Sequence, residues 1–162
     1  MISEKKAGGW ALLGMRLLVG FGFMAHGYAK LSRGADGFAA ILQHLNVPLP
    51  VFAAWLTIGT EILGGLAMFL GVFVAWASIP MAIVVFVAAA TVHFQYGFSS
   101  IRLLDVSPSG ATFGPVGYEL DLLYIAALAT LALEGAGPLA IDNLPRRSKV
   151  RELLARLGLA SK

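Results

Sequence analysis

The chain has 162 residues, of which 58% are hydrophobic and 13% charged, and a formal net charge of +3. Globular domains average roughly 45–50% apolar and about 25% charged residues, so this balance points to a membrane protein. With no cysteine, disulfides, thiolate nucleophiles and thiolate-bound metals are excluded, and redox chemistry needs a bound cofactor or a partner.

Taken in chain order, four segments are apolar enough and about as long as the ~20 residues that cross a bilayer. They cover about 10–28, 51–70, 72–94 and 119–139. Such long runs without alternation do not fit the strands of a membrane barrel. The fold class expected is therefore all-α: an integral membrane four-helix bundle with short interfacial segments, forming one domain over 1–144. The first segment reads as a retained span, because it is long for a signal peptide and lacks a clear cleavage site. Between spans one and two, "LSRGADGFAAILQHLNVPLP" suggests a short interfacial helix ending before Pro48 and Pro50. Spans two and three meet at a tight hinge at Gly71. "GFSSIRLLDVSPSGATFGPVGY", between spans three and four, is rich enough in Pro, Gly and Ser to read as loop.

Lys and Arg set the expected orientation. Lys5 and Lys6 precede the first span, and Arg146, Arg147, Lys149, Arg151, Arg156 and Lys162 follow the last. The two long loops hold only Lys30, Arg33 and Arg102. Positive-inside places both termini in the cytoplasm, with the protein multi-pass in the plasma (inner) membrane. In the tail, 145–162, Val150, Leu153, Leu154 and Leu157 recur at helical spacing among basic residues. That pattern reads as an amphipathic helix on anionic lipid, with an ordinary solvated tail as the alternative. Lipid is thus the first partner expected, and protein partners or a homo-oligomer the second. Nucleic acid is not expected, since basic and aromatic residues do not interleave.

Ionisable groups inside the apolar segments need a partner or a wet cavity, which makes them the candidate site. His26 and Lys30 are four apart at the outer end of span one and share a face. Arg16 lies on nearly the same face, with Gly20 and Gly27 between, and glycine there lets another helix approach closely. Glu61 sits in the middle of span two, with Gly64 and Gly65 one turn on. Arg16 is the expected cation for Glu61, and Glu134 a competing carboxylate near the depth of Arg16. His93 closes span three, while Glu119 and Asp121 open span four, two apart and so on different sides. Tyr96 and Tyr118 fit an interfacial aromatic belt. The ligand or proton-handling candidates are Glu61, His93, His26, Glu119 and Lys30. Arg16 and Glu134 are the structural ion-pair candidates. The expectation is that His26 faces His93 and Glu119. A quinone suits such a layer, since histidine both carries protons and hydrogen-bonds carbonyls. Haem held by His26 and His93 is a second geometry. No metal-ligand spacing is present.

The order and spacing of these residues resemble the DoxX family of small four-helix membrane proteins. The likeness is carried by Arg16 with "HGYAKL", by "EILGGLAMFLG" over 61–71, by His93 followed by Gly97, and by Glu119 followed by "GAGPLAIDNL". The family often ends its last helix with Gly-Pro-Gly and places Ser before the final Asp. Here the run is Gly135-Ala136-Gly137-Pro138, with Ala140 before Ile141 and Asp142. The resemblance implies a membrane bundle. It also implies the membrane subunit of a redox-associated complex, since relatives are described as subunits of thiosulfate:quinone oxidoreductase or of oxidoreductase assemblies. The other reading is a non-catalytic scaffold, assembly factor or small-molecule carrier in an envelope pathway.

Overall fold

A computed structural model describes residues 4–143, which are mostly helical; the tail expectation over 145–162 lies outside them. Helix α1 covers Glu4–Ser32 and α2 covers Ala35–His44. A second long helix covers Pro50–Leu70, built from α3 (Pro50–Gly59), a π-turn (Thr60–Gly64) and α4 (Gly65–Leu70). A third covers Val74–Tyr96, from α5 (Val74–Ala88) through a π-turn (Ala89–His93) to a 3₁₀ turn (Phe94–Tyr96). Strands β1 (Leu103–Ser107) and β2 (Gly110–Phe113) precede α6 (Glu119–Glu134).

Among the described residues, three helices are long and apolar enough to cross a membrane: Gly9–Ser32, Pro50–Leu70 and Val74–Tyr96. Their surface is inverted relative to a water-soluble bundle. Leu18, Phe21, Phe52, Trp55, Trp76 and Phe86 all lie exposed, while Arg16, Glu61 and Ser78 are buried. Water penalises an apolar surface of this extent, and lipid does not, so the chain is a membrane protein. The core runs between α1, α4, α5 and α6 through Val19, Phe23, Met68, Met81, Leu128 and Leu131. A smaller cluster, Ala39, Leu42 and Ala54, seats α2 on α3.

Helices α1 and α4 touch through glycine. A Cβ on Gly20 would lie 2.6 Å from the Phe69 nitrogen, and one on Gly65 would lie 2.8 Å from the Gly20 carbonyl oxygen. Both neighbours are backbone and cannot rotate away, so each helix needs glycine where they cross. The tight hinge at Gly71 is present. This residue takes φ 73, the left-handed conformation that glycine adopts at no steric cost, and a Cβ there would collide with the Arg16 guanidinium.

Two expectations are corrected. The segment read as loop between the third long helix and α6 contains the antiparallel hairpin β1–β2, closed by the two-residue turn Pro108-Ser109. Pro fixes φ at one corner of that turn, and a bulge at Leu104 breaks the alternation that marks a strand. The last helix does not run to 139 but stops at Glu134. Gly135, Gly137 and Leu139 all take positive φ, and Pro138 cannot continue a helix. At about 1.5 Å per residue, the 16 residues of α6 fall short of the roughly 30 Å hydrocarbon layer. Residues 135–143 fold back without α-helix, ending in a 3₁₀ turn over Ile141–Asn143 beside Gly71, where the Asp142 N–H donates to the Gly71 carbonyl at 3.0 Å.

Candidate functional site

The buried polar groups resolve into one ion pair, one histidine–carboxylate hydrogen bond and one clasp. Glu61 lies inside the π-turn Thr60–Gly64, buried against α1. Its neighbour across the interface is Gly27, whose missing side chain leaves room for the Glu61 Cβ. Lys30, one turn further along α1, donates to both carboxylate oxygens, at 2.6 and 2.8 Å. The Lys30 Nζ also lies 5.3 Å from the ring centroid of Phe38 on α2. The lysine side chain is 25% exposed and the glutamate 7%, so the acid is sealed and the cation is its open end.

His93 closes the second π-turn, Ala89–His93. Its Nδ1 lies 2.7 Å from Oδ2 of Asp121 in the first turn of α6. The histidine is 30% exposed and the aspartate 10%. The arrangement repeats that of the first pair, with a buried acid and a half-open nitrogen partner. A π-turn adds a residue to the helical ladder and re-aims the side chains around it, which is why such turns concentrate at working sites. Here each carries one partner of an ionisable pair.

Several expectations are corrected at this point. The cation on Glu61 is Lys30, not Arg16. Arg16 is 2% exposed and donates from Nη1 to the Ala136 carbonyl at 2.7 Å and from Nη2 to Leu139 at 3.4 Å. Non-helical backbone buried among membrane helices must have its carbonyls satisfied by protein, and Arg16 does this for the coil after α6. Glu134 is exposed and makes no ion pair among the described residues.

His26 does not face His93 and Glu119. It is exposed and makes no hydrogen bond among the described residues, because one residue is about 100° of rotation on a helix and Gly27, not His26, meets the second long helix. Glu119 instead accepts from the Ser100 N–H at 3.0 Å and fixes the base of the hairpin.

Asp121 is the residue that sequence reasoning left out of the site. A signal for it exists: Asp121, Leu128 and Leu131 form the buried stripe of α6, and their spacing is helical. Tyr118 stacks on Phe94 with ring centroids 5.5 Å apart and meets Phe98 edge-on at 5.7 Å, so it belongs to a local aromatic cluster. Two histidines brought together for haem are not found, since His93 is bonded to Asp121 and His26 points away from the core.

The DoxX family model matches residues 11–94, which include Arg16, Lys30, Glu61 and His93 but not Asp121 or the hairpin. A protein of Haemophilus influenzae, described as an uncharacterized protein, is 26% identical over 143 residues, covering 86% of this chain and 85% of its own. No solved structure matches the chain. The matched stretch spans more than half of the sequence and covers the three long apolar helices except for two residues at the start of the first and two at the end of the third, and the chain belongs to the DoxX family.

Proposed function

We propose that this DoxX-family chain is the membrane subunit of a redox-associated, quinone-linked complex, held in the plasma membrane with both termini cytoplasmic. The observation that carries the reading is the seating of Glu61 and His93 in π-turns of two different long helices, each bonded to an ionisable partner on a neighbouring helix. Lys30 and His93 are the half-open members: the Lys30 ammonium donates to a quinone carbonyl, and His93 Nε2 donates to one when the ring is protonated or accepts from a quinol hydroxyl when it is neutral. Glu61 and Asp121 sit behind them and accept the protons those groups hold. A bound quinone supplies the redox chemistry that a cysteine-free chain lacks. The excess of Lys and Arg at the two termini supports the orientation.

The test is binding of a short-chain quinone analogue to the purified protein, followed by Glu61→Gln and His93→Ala. Loss of binding in variants that remain folded at the assay temperature, out of proportion to any fall in melting temperature, is the expected result. Absence of quinone binding, with the activity of the intact membrane system unchanged in both variants, rejects the reading.

A second reading, a scaffold whose charges are interhelical clamps, is favoured by one observation: each pair bridges two helices. It requires that Glu61→Gln impair stability or assembly more than activity.

A further inference from the structure

We propose that the β1–β2 hairpin lies in the lipid interface with one face against the bilayer. The strand register builds that face. Leu103 pairs with Phe113, Asp105 with Thr112, Val106 with Ala111 and Ser107 with Gly110. Directly opposed residues share a face, and successive pairs alternate faces. One face therefore carries Leu103, Val106, Ala111 and Phe113, and the other carries Asp105, Ser107, Thr112 and Gly110. In a regular strand Leu103 and Val106, three apart, point to opposite sides. The bulge between Leu103 and Asp105 inserts one residue and brings them together.

This apolar face has no protein cover: Leu103 is 55% exposed, Val106 69% and Phe113 58%. A lone two-stranded hairpin is at best marginally stable in water, and an open apolar sheet face invites association. Lipid is the occupant because large exposed apolar residues recur along the chain from the end of the third long helix into the hairpin. Phe94, at the end of the third long helix, then Phe98 and Ile101 lead to Leu103 as an exposed apolar series. The base is also rigidly tied to that end of the bundle. The Gly117, Tyr118 and Glu119 N–H groups donate to the Ser99, Gly97 and Phe98 carbonyls, and the Gly114 N–H donates to Arg102. The apolar face carries no charge, whereas the opposite face has Asp105, which suits a device lying flat between headgroups and water.

The absence of cysteine allows a clean test on the full chain. Val106→Cys and Thr112→Cys, on opposite faces, are each labelled with a nitroxide. The protein is reconstituted in vesicles of phosphatidylcholine and phosphatidylglycerol, and label accessibility to oxygen and to a water-soluble nickel complex is measured. The expected result is oxygen-dominated accessibility at 106 and nickel-dominated accessibility at 112. Nickel access at both positions overturns the proposal and leaves the face for a protein partner. Spin–spin broadening at 106 that vanishes on dilution with unlabelled protein overturns it in favour of a second copy of the chain.

Discussion

Lys30 Nζ lies between the two oxygens of Glu61, at 2.6 and 2.8 Å, and ties the end of α1 to the π-turn of the second long helix. The lysine reaches back along its own helix to do so, and Phe38 on α2 lies 5.3 Å from its ammonium. The pair is thus held from three sides: α1, the Pro50–Leu70 helix and α2.

Removing one partner leaves the other charge in an apolar setting. Glu61→Gln is expected to destabilise the protein by about 1–3 kcal/mol, less than a fully buried pair because the lysine is partly solvated. The double variant Lys30→Met/Glu61→Gln recovers much of that loss, since neither charge remains. Thermal unfolding in one detergent, arranged as a double-mutant cycle, measures the coupling. Additive effects of the two single variants contradict the pairing.

Gly20 and Gly14 lie on the same helix and predict opposite outcomes. A methyl group on Gly20 meets backbone atoms of Phe69 and Gly65 at under 3 Å, whereas one on Gly14 meets nothing within 4 Å. Gly20→Ala forces α1 and α4 apart and should cost about 1–3 kcal/mol. Gly14→Ala should be neutral or add up to about 1 kcal/mol through helix propensity. Melting temperatures of the two variants check the contrast, and equal shifts refute it.

The expectations that held are those carried by apolar length and by glycine. The three long helices, the turn at Gly71 and the close face of α1 follow from runs and spacings that only a lipid-facing bundle satisfies. Those that failed depended on backbone breaks. The hairpin was hidden because Leu104 adds a residue to the strand and spoils the period of two. The end of the last helix is hidden because the residues after Glu134 stay apolar although the backbone turns left-handed at Gly135, Gly137 and Leu139. The same apolar run conceals the backbone carbonyls that Arg16 holds, whereas its long arm and nearly shared helix face suggest Glu61 as its partner.

Arg16 is therefore expected to govern the coil after α6 rather than the site. Arg16→Met strips donors from the Ala136 and Leu139 carbonyls, and the buried Ala136 oxygen, left unsatisfied, costs about 1–3 kcal/mol. Arg16→Lys keeps the charge but loses the forked geometry that reaches both oxygens. Hydrogen exchange should rise over residues 135–143 in both variants, more in Arg16→Met, and stay unchanged in α2. An unaltered exchange pattern over 135–143 rules the clasp out.

The site was legible in type but not in pairing. Glu61, Lys30 and His93 stand out because lipid tolerates few charges, and the sequence alone lists them. Which groups touch depends on rotation about each helix. Glu119 and Asp121 are two apart, and only the buried stripe through Leu128 and Leu131 selects Asp121.

The His93–Asp121 contact predicts a specific proton position. An ionised carboxylate only accepts, so the Nδ1 that lies 2.7 Å from Asp121 Oδ2 carries the hydrogen. In the neutral ring Nε2 is then the free acceptor, on a side chain that remains partly exposed. Nitrogen-15 spectra of ring-labelled histidine should show the His93 Nδ1–H tautomer at a pH where the ring is neutral. Asp121→Asn removes the full negative charge and leaves an amide that can donate as well as accept, so the tautomer preference should weaken or reverse. If Nε2 carries the proton in the wild type, the hydrogen bond runs some other way and His93 presents a donor, not an acceptor, to whatever enters beside it.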